Sequence, residues 1–213
     1  MGDTIPKRGL GGLRGQRPVF ILALDASLSR CSAALLGDGE LLAHLSRDGD
    51  RGHAAALPPM AAAVLAEAGL RAADLDAVAA VVGPGGFTGL RAALALAQGI
   101  ALGAGLPVVG VATGEALAAA LPPEQRAGRA VWAAVDNHRG RVVLERFAAR
   151  GGPAAPPEVF PVDGLPPACG RVVVVGDAAE AVAERLAAHG VRFERLAVPA
   201  RMTVEEFRID STR

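Results

Sequence analysis

Tyrosine is absent from this chain of 213 residues, and aromatic side chains make up only 3% of it against 51% hydrophobic residues overall. A core of stacked rings is therefore excluded. Ala, Leu, Val and Gly carry the apolar load, which implies small side chains and close backbone approach. A chain of this length buries roughly 70% of its unfolded surface, so a full core is within reach. An excess of basic charge is missing too: Lys plus Arg and Asp plus Glu stand at 22 each. Phosphate neutralisation supplies most of the affinity of a lone RNA-gripping protein, so any RNA role belongs to an assembly rather than to this chain by itself. The only cysteines are Cys31 and Cys169, with no CxxC pair, as expected of a reduced cytoplasmic protein.

Targeting signals are also wanting. Residues 1–18 hold Lys7, Arg8, Arg14 and Arg17 among glycines, with no apolar run behind them, and read as a flexible leader rather than a signal peptide. Pro6 spoils a myristoylation pattern. From Ala92 to Ala112 the one polar side chain is Gln98, a length that would cross a bilayer. Gly99, Gly103, Gly105 and Pro107 break that stretch into a helix end followed by a strand, so no membrane span is expected.

What is present alternates. Apolar runs at Val19–Leu24, Cys31–Leu36 and Glu40–Ser46, the last two joined by Gly37-Asp38-Gly39, predict a three-strand meander. Leu57, Met60, Val64 and Leu65 share one helical face, with the regular helix starting near Pro58 and Pro59 and ending at Gly69. A buried strand over 77–82 follows, then a helix that Thr88 would N-cap and that runs to about Gly103. Next come a strand over 107–111 and a short helix from Thr113. Strands over 130–136 and 141–147 form a hairpin. The proline-rich stretch 151–170 reads as loop, and a strand, a helix over about 178–188 and a strand over 191–196 finish the chain. This order predicts an α/β fold with mixed sheets of the actin-like ATPase kind, built twice with the second half abbreviated. Subdomains span 19–121 and 122–198, followed by a tail over 199–213 without clear period.

The strongest local signal is the segment 83–91, GPGGFTGLR, between a strand and a helix. It lacks the Lys-Ser/Thr of a Walker A loop, and Thr88 stands where a dinucleotide fingerprint needs its third glycine. Gly83, Gly85, Gly86, Thr88 and Gly89 therefore form either a tight turn that delivers a closely packed helix, or a weak anion site at a helix N-terminus. Asp25 ends the first strand, where it either points to metal and phosphate or caps the Ser27 loop; turn chemistry favours the cap. Asp136 reads similarly, as a hairpin entry or a ligand. No GxSxG nucleophile setting is present.

Segment 83–91, continued by AQGIALG at 97–103 and GVAT at 110–113, closely resembles the TsaB (YeaZ) family. LALDAS at 22–27, CSAAL at 31–35, His53 with Leu57-Pro58 and Met60, and Val135-Asp136 are similar too. The resemblance covers about residues 19–190. It implies an actin-like ATPase fold and a non-catalytic scaffold and activator role in forming N6-threonylcarbamoyladenosine in tRNA. The implied partners are the catalytic paralogue TsaD and the ATPase TsaE, with tRNA met only through the complex. No cofactor of its own is implied, ATP being held by partner subunits or at a shared interface. The catalytic paralogue holds a metal with a His-x-x-x-His pair; here His53 is followed four residues later by Leu57, so no metal site is expected. The family's Pro-x-Tyr-x-Arg ending is not matched.

The second helix is apolar almost all round, interrupted only by Arg91 and Gln98, so it needs cover on more than one side. That cover is either the monomer itself or a partner. The resemblance places pairing, including a homodimer, on the first two helices. The interface set is then His53, Leu57, Met60, Val64 and Leu65 with Leu94 and Gln98. The competing functions are an independent actin-like ATPase or small-molecule kinase and, on weaker grounds, a metallopeptidase. They require convergent carboxylates or a second histidine.

Overall fold

The structure, a computed structural model, describes residues 17–49, 51–149, 153–168, 170–188 and 190. Two mixed sheets are built in the same order. The first carries β1 (Phe20–Asp25), β2 (Arg30–Gly37), β3 (Glu40–Asp48), β4 (Ala77–Gly83) and β5 (Val108–Ala112), arranged β3-β2-β1-β4-β5. The second carries β6 (Ala130–Asp136), β7 (Arg141–Phe147), β8 (Pro153–Pro161) and β9 (Val172–Val175), arranged β8-β7-β6-β9. In each, a meander is antiparallel and the next strand pairs parallel with the meander's first, β1 with β4 and β6 with β9. The second sheet thus repeats the first with one strand fewer.

Helices α1 (His53–Ala68) and α2 (Phe87–Ala104) cover one face of the first sheet. Leu22, Leu24, Leu35, Val64 and Val78 form its centre with Ala80, Ala97 and Ala101. Burying one such Val or Leu is worth about 1.5–3 kcal/mol, and the alanines let α2 lie close to the strands. By length and composition α2 would cross a membrane; here it packs on β4 and α1. Helix α3 (Thr113–Ala119) leaves β5 and packs on the second sheet. Val131, Ala133 and Phe147 face it, while Trp132, Ala134 and Leu144 face α5 (Ala179–Ala188) on the other side. Cover on both faces explains why β6 reads as an unbroken apolar run. A four-residue helix, α4 (Pro123–Arg126), links α3 to β6.

Three expectations need correction. Helix α1 begins at His53, a full turn before its prolines, and Pro58 and Pro59 lie inside it. Both are exposed, as are Ala54 and Ala55, whose carbonyls the missing amides would have met, and a solvent-facing helix side tolerates such lost bonds. Thr88 lies within α2, whose N-cap is Gly86 without a side-chain hydrogen bond. The proline-rich stretch contains β8, which pairs with β7 through a register shift that sets Pro156 and Pro157 in a bulge. The strand expected over 191–196, the tail and all but the last two residues of the leader lie outside the described residues.

Candidate functional site

Both sheets present the C-terminal end of their first strand to the same region, and an aspartate stands there each time. Asp25 Oδ1 accepts the Ser27 amide at 2.8 Å. Asp136 Oδ1 accepts the His138 amide at 2.8 Å, and its Oδ2 lies 3.5 Å from His138 Nδ1. These are Asx-type turns, in which the carboxylate is spent on its own loop. Burial pushes the Asp25 carboxyl above its ordinary range, against the opposing pull of the Ser27 amide and hydroxyl and of His53. His53 itself is turned toward the Gly49 carbonyl through Nε2. No group of three His, Cys, Asp or Glu side chains among the described residues is placed to hold a metal ion.

The glycine-rich segment packs directly onto this turn. The Gly86 amide donates to the Ser27 carbonyl at 2.7 Å. A Cβ on Gly85 would collide with that same carbonyl, and one on Gly89 with the carbonyl of Ala26. The two positions need glycine because α2 starts in main-chain contact with the β1–β2 connection. The Thr113 hydroxyl donates to the Pro84 carbonyl at 2.6 Å and so ties the start of α3 to the loop. From the second sheet, Glu145 on β7 approaches Gly114 so closely that a Cβ there would strike its carboxylate. Glu145 is 5% exposed. Burial raises its pKa, the nearby Glu115 adds to the rise, and the Gly114 amide opposes it. No sequence pattern marked Glu145 or Gly114. Only a glutamate following the apolar VVL run of β7 hinted at them.

Between the two halves lies a cleft of about 380 Å³. Residues 84–87 form one wall, residues 136–139 the other, and Val135 and Val143 contribute apolar surface. Phe87 on its rim is 73% exposed, with the Arg91 guanidinium over its ring at 5.1 Å.

The proposed interface residues separate. Leu57 and Val64 are 1% and 0% exposed, and His53 and Leu65 are buried as well. They belong to the chain's own core, because the apolar stripe of α1 faces β2 and β3. Met60 and Leu94 are half-buried; Gln98 is exposed. Besides Gln98, the exposed surface of the pair includes Ala54, Ala62, Ala63, Ala95, Gly99 and Leu102.

Against known proteins, the family model described as TsaD, tRNA N6-adenosine threonylcarbamoyltransferase, matches residues 45–158. YeaZ from Pseudomonas aeruginosa, a solved structure, superposes with a TM-score of 0.70 at 31% identity, covering 79% of this chain and 80% of that one. The chain belongs to the TsaB/YeaZ family. It carries the actin-like ATPase fold that the resemblance implies. The Escherichia coli tRNA threonylcarbamoyladenosine biosynthesis protein TsaB is 40% identical over 127 residues, 60% of this chain and 54% of the relative. The tRNA N6-adenosine threonylcarbamoyltransferase of Maricaulis maris is 38% identical over 115 residues, 45% of this chain and 30% of the relative. The chain spans about half the length of the TsaB relative it matches.

Proposed function

We propose that this chain is a non-catalytic scaffold and activator in the cytoplasmic complex that forms N6-threonylcarbamoyladenosine in tRNA. It pairs with a TsaD-type catalytic subunit and works with a TsaE-type ATPase, meeting tRNA within the assembly. The E. coli relative's role in this biosynthesis and the TsaD family model support the pathway. The carboxylates of Asp25 and Asp136, each bonded through Oδ1 to an amide of its own loop, support a non-catalytic part, since a nucleotide-cleaving site needs acids aimed at metal and phosphate.

One observation carries the pairing surface. Gly99 and Gly103 lie in the middle and last turn of α2, both exposed, with nothing among the described residues outside the helix's own nearby backbone within 4 Å of a Cβ at either. Each costs up to about 1 kcal/mol against Ala in a helix, and no contact among the described residues requires it. With Ala95 they sit at four-residue spacing, which lets another helix approach closely. Leu102, 87% exposed, stands beside them. The partner is a helical pair of like construction on the catalytic paralogue, or on a second copy of this chain.

Gly99→Arg tests it, because the side chain has open space and improves the helix. The variant is expected to remain folded by circular dichroism yet to lose co-elution with the TsaD-type partner. A folded variant that still co-elutes sinks the surface.

A further inference from the structure

Strand β5 closes one side of the first sheet, with β4 as its one strand neighbour among the described residues. The Val78 amide donates to the Pro107 carbonyl at 3.1 Å, and Val78 stands opposite Val108. In a parallel ladder this register turns the main chains of Pro107, Val109 and Val111 toward β4 and those of Val108, Gly110 and Ala112 outward. The Ala112 amide is taken by Glu115 Oε2 at 3.0 Å. Val108 and Gly110 remain, both exposed, with no partner for either outward N–H or C=O among the described residues.

The other sheet edges are guarded. Strand β3 carries Glu40, His44, Arg47 and Asp48, and β8 its prolines; such residues discourage the addition of a further strand. Strand β9 exposes none of its four valines. Strand β5 holds neither charge nor proline. Val82, Val108 and Val109 gather at it, three of the eight exposed large apolar side chains. An edge of this kind takes up another strand, and its pattern selects which one. Two open residues at i and i+2 match themselves across a two-fold axis. Val108 of one chain faces Gly110 of the other, and the two pairs exchange four N–H···O bonds. The axis passes at Val109, where two valines meet on one face of the sheet. On the other face Val82 fills the room that a Cβ on Gly110 would need, so Val108 of the second chain settles on Val82. With no charge along the strand, nothing calls for a partner of opposite sign.

We propose that β5 pairs antiparallel with β5 of a second copy of this chain, joining two first sheets across a two-fold axis. Both open edges are used up, so growth stops at two. The contact is separate from the outer side of α1 and α2 and does not depend on the catalytic partner. It buries little, as do the weak, transient interfaces below about 1,200 Å², so the dimer depends on concentration.

Sedimentation of the full chain over a concentration series is expected to show a reversible dimer. Val109→Lys sets like charges against each other at the axis and is expected to raise the dimer Kd about tenfold or more. Gly99→Arg is expected to leave it unchanged. In a Cys169→Ser chain, Val109→Cys is expected to give a disulfide-linked dimer under mild oxidation, because such a pair lies about 4.5 Å apart at Cα. Val108→Cys is expected not to, its copy lying on the diagonal at about 7–8 Å. A chain that stays monomeric throughout overturns the proposal; slow exchange of the Val108 and Gly110 amides in that monomer would show the edge covered by another segment of this chain. A dimer lost in Gly99→Arg but kept in Val109→Lys overturns it too, as does equal cross-linking at 108 and 109. Val108 and Val109 are 39% and 37% exposed, so these changes leave the fold intact, which circular dichroism checks.

Discussion

Asp25 and Asp136 hold the same position in the two sheets: each closes the first strand, and each accepts through Oδ1 the amide two residues on, at 2.8 Å in both cases. The repetition extends outward. The first strand of each sheet pairs antiparallel with the second and parallel with the strand that follows the meander. A duplicated fold would place two acids across one cleft, and here both are turned into local caps.

The glycines of the central segment separate by what surrounds them. Gly85→Ala and Gly89→Ala each drive a Cβ into a main-chain carbonyl, which must move, at a cost of typically 1–3 kcal/mol. Gly99→Ala meets nothing and is expected to stabilise the isolated chain by about 0.5–1 kcal/mol. Urea denaturation of the three variants checks the opposite signs. Equal effects would mean that the close approach of α2 to the β1–β2 turn is wrong.

Burial of Glu145 makes stability depend on pH. The unfolded chain ionises this group near its ordinary value of 4.5, the folded chain above it. Within that window the folded state holds a proton that the unfolded state has lost. Stability therefore falls as pH rises through the window and stays lower above it. Asp25, also raised by burial, acts with the same sign. Glu145→Gln removes the charge cost and is expected to raise Tm at pH 7 by roughly 2–4 °C, the equivalent of about 1 kcal/mol. The gain should fade toward pH 4. A shift of the same size at both pH values would point to packing instead.

Val64 separates core from interface. At 0% exposure, an arginine there has no route to water, and an unpaired buried charge costs several kcal/mol. Val64→Arg is expected to abolish cooperative folding in a thermal melt, whereas Gly99→Arg melts like the parent. A folded Val64→Arg chain would show that α1 is not packed as described.

The first sheet and the β6–β7 hairpin were legible because turn residues frame short apolar runs, and β6 and β7 fall on the expected bounds. The start of α1 was not, because Pro58 and Pro59 mark a helix start by their usual preference, while here their solvent face tolerates the lost hydrogen bonds. Strand β8 was hidden by the same residue type. The apolar period of α1 marked the side that faces the chain's own sheet. A stripe of Leu57, Val64 and Leu65 signals burial without saying against what, and the outward side announces itself only through glycines that have no neighbour. Glu145 and Gly114 meet across 31 positions of sequence, a separation no local pattern spans.

The prolines of β8 bear on how such a chain keeps apart from its own kind. Pro156, Pro157 and Pro161 have no amide to offer, and the bulge breaks the flat row of donors and acceptors that another strand would need. A flank of this sort is a poor seed for stacking chain upon chain. In a protein whose strands are mostly valine, alanine and leucine, that matters most while the chain is newly made and its apolar faces have not yet met. On this side, growth into a ribbon is closed off before it starts.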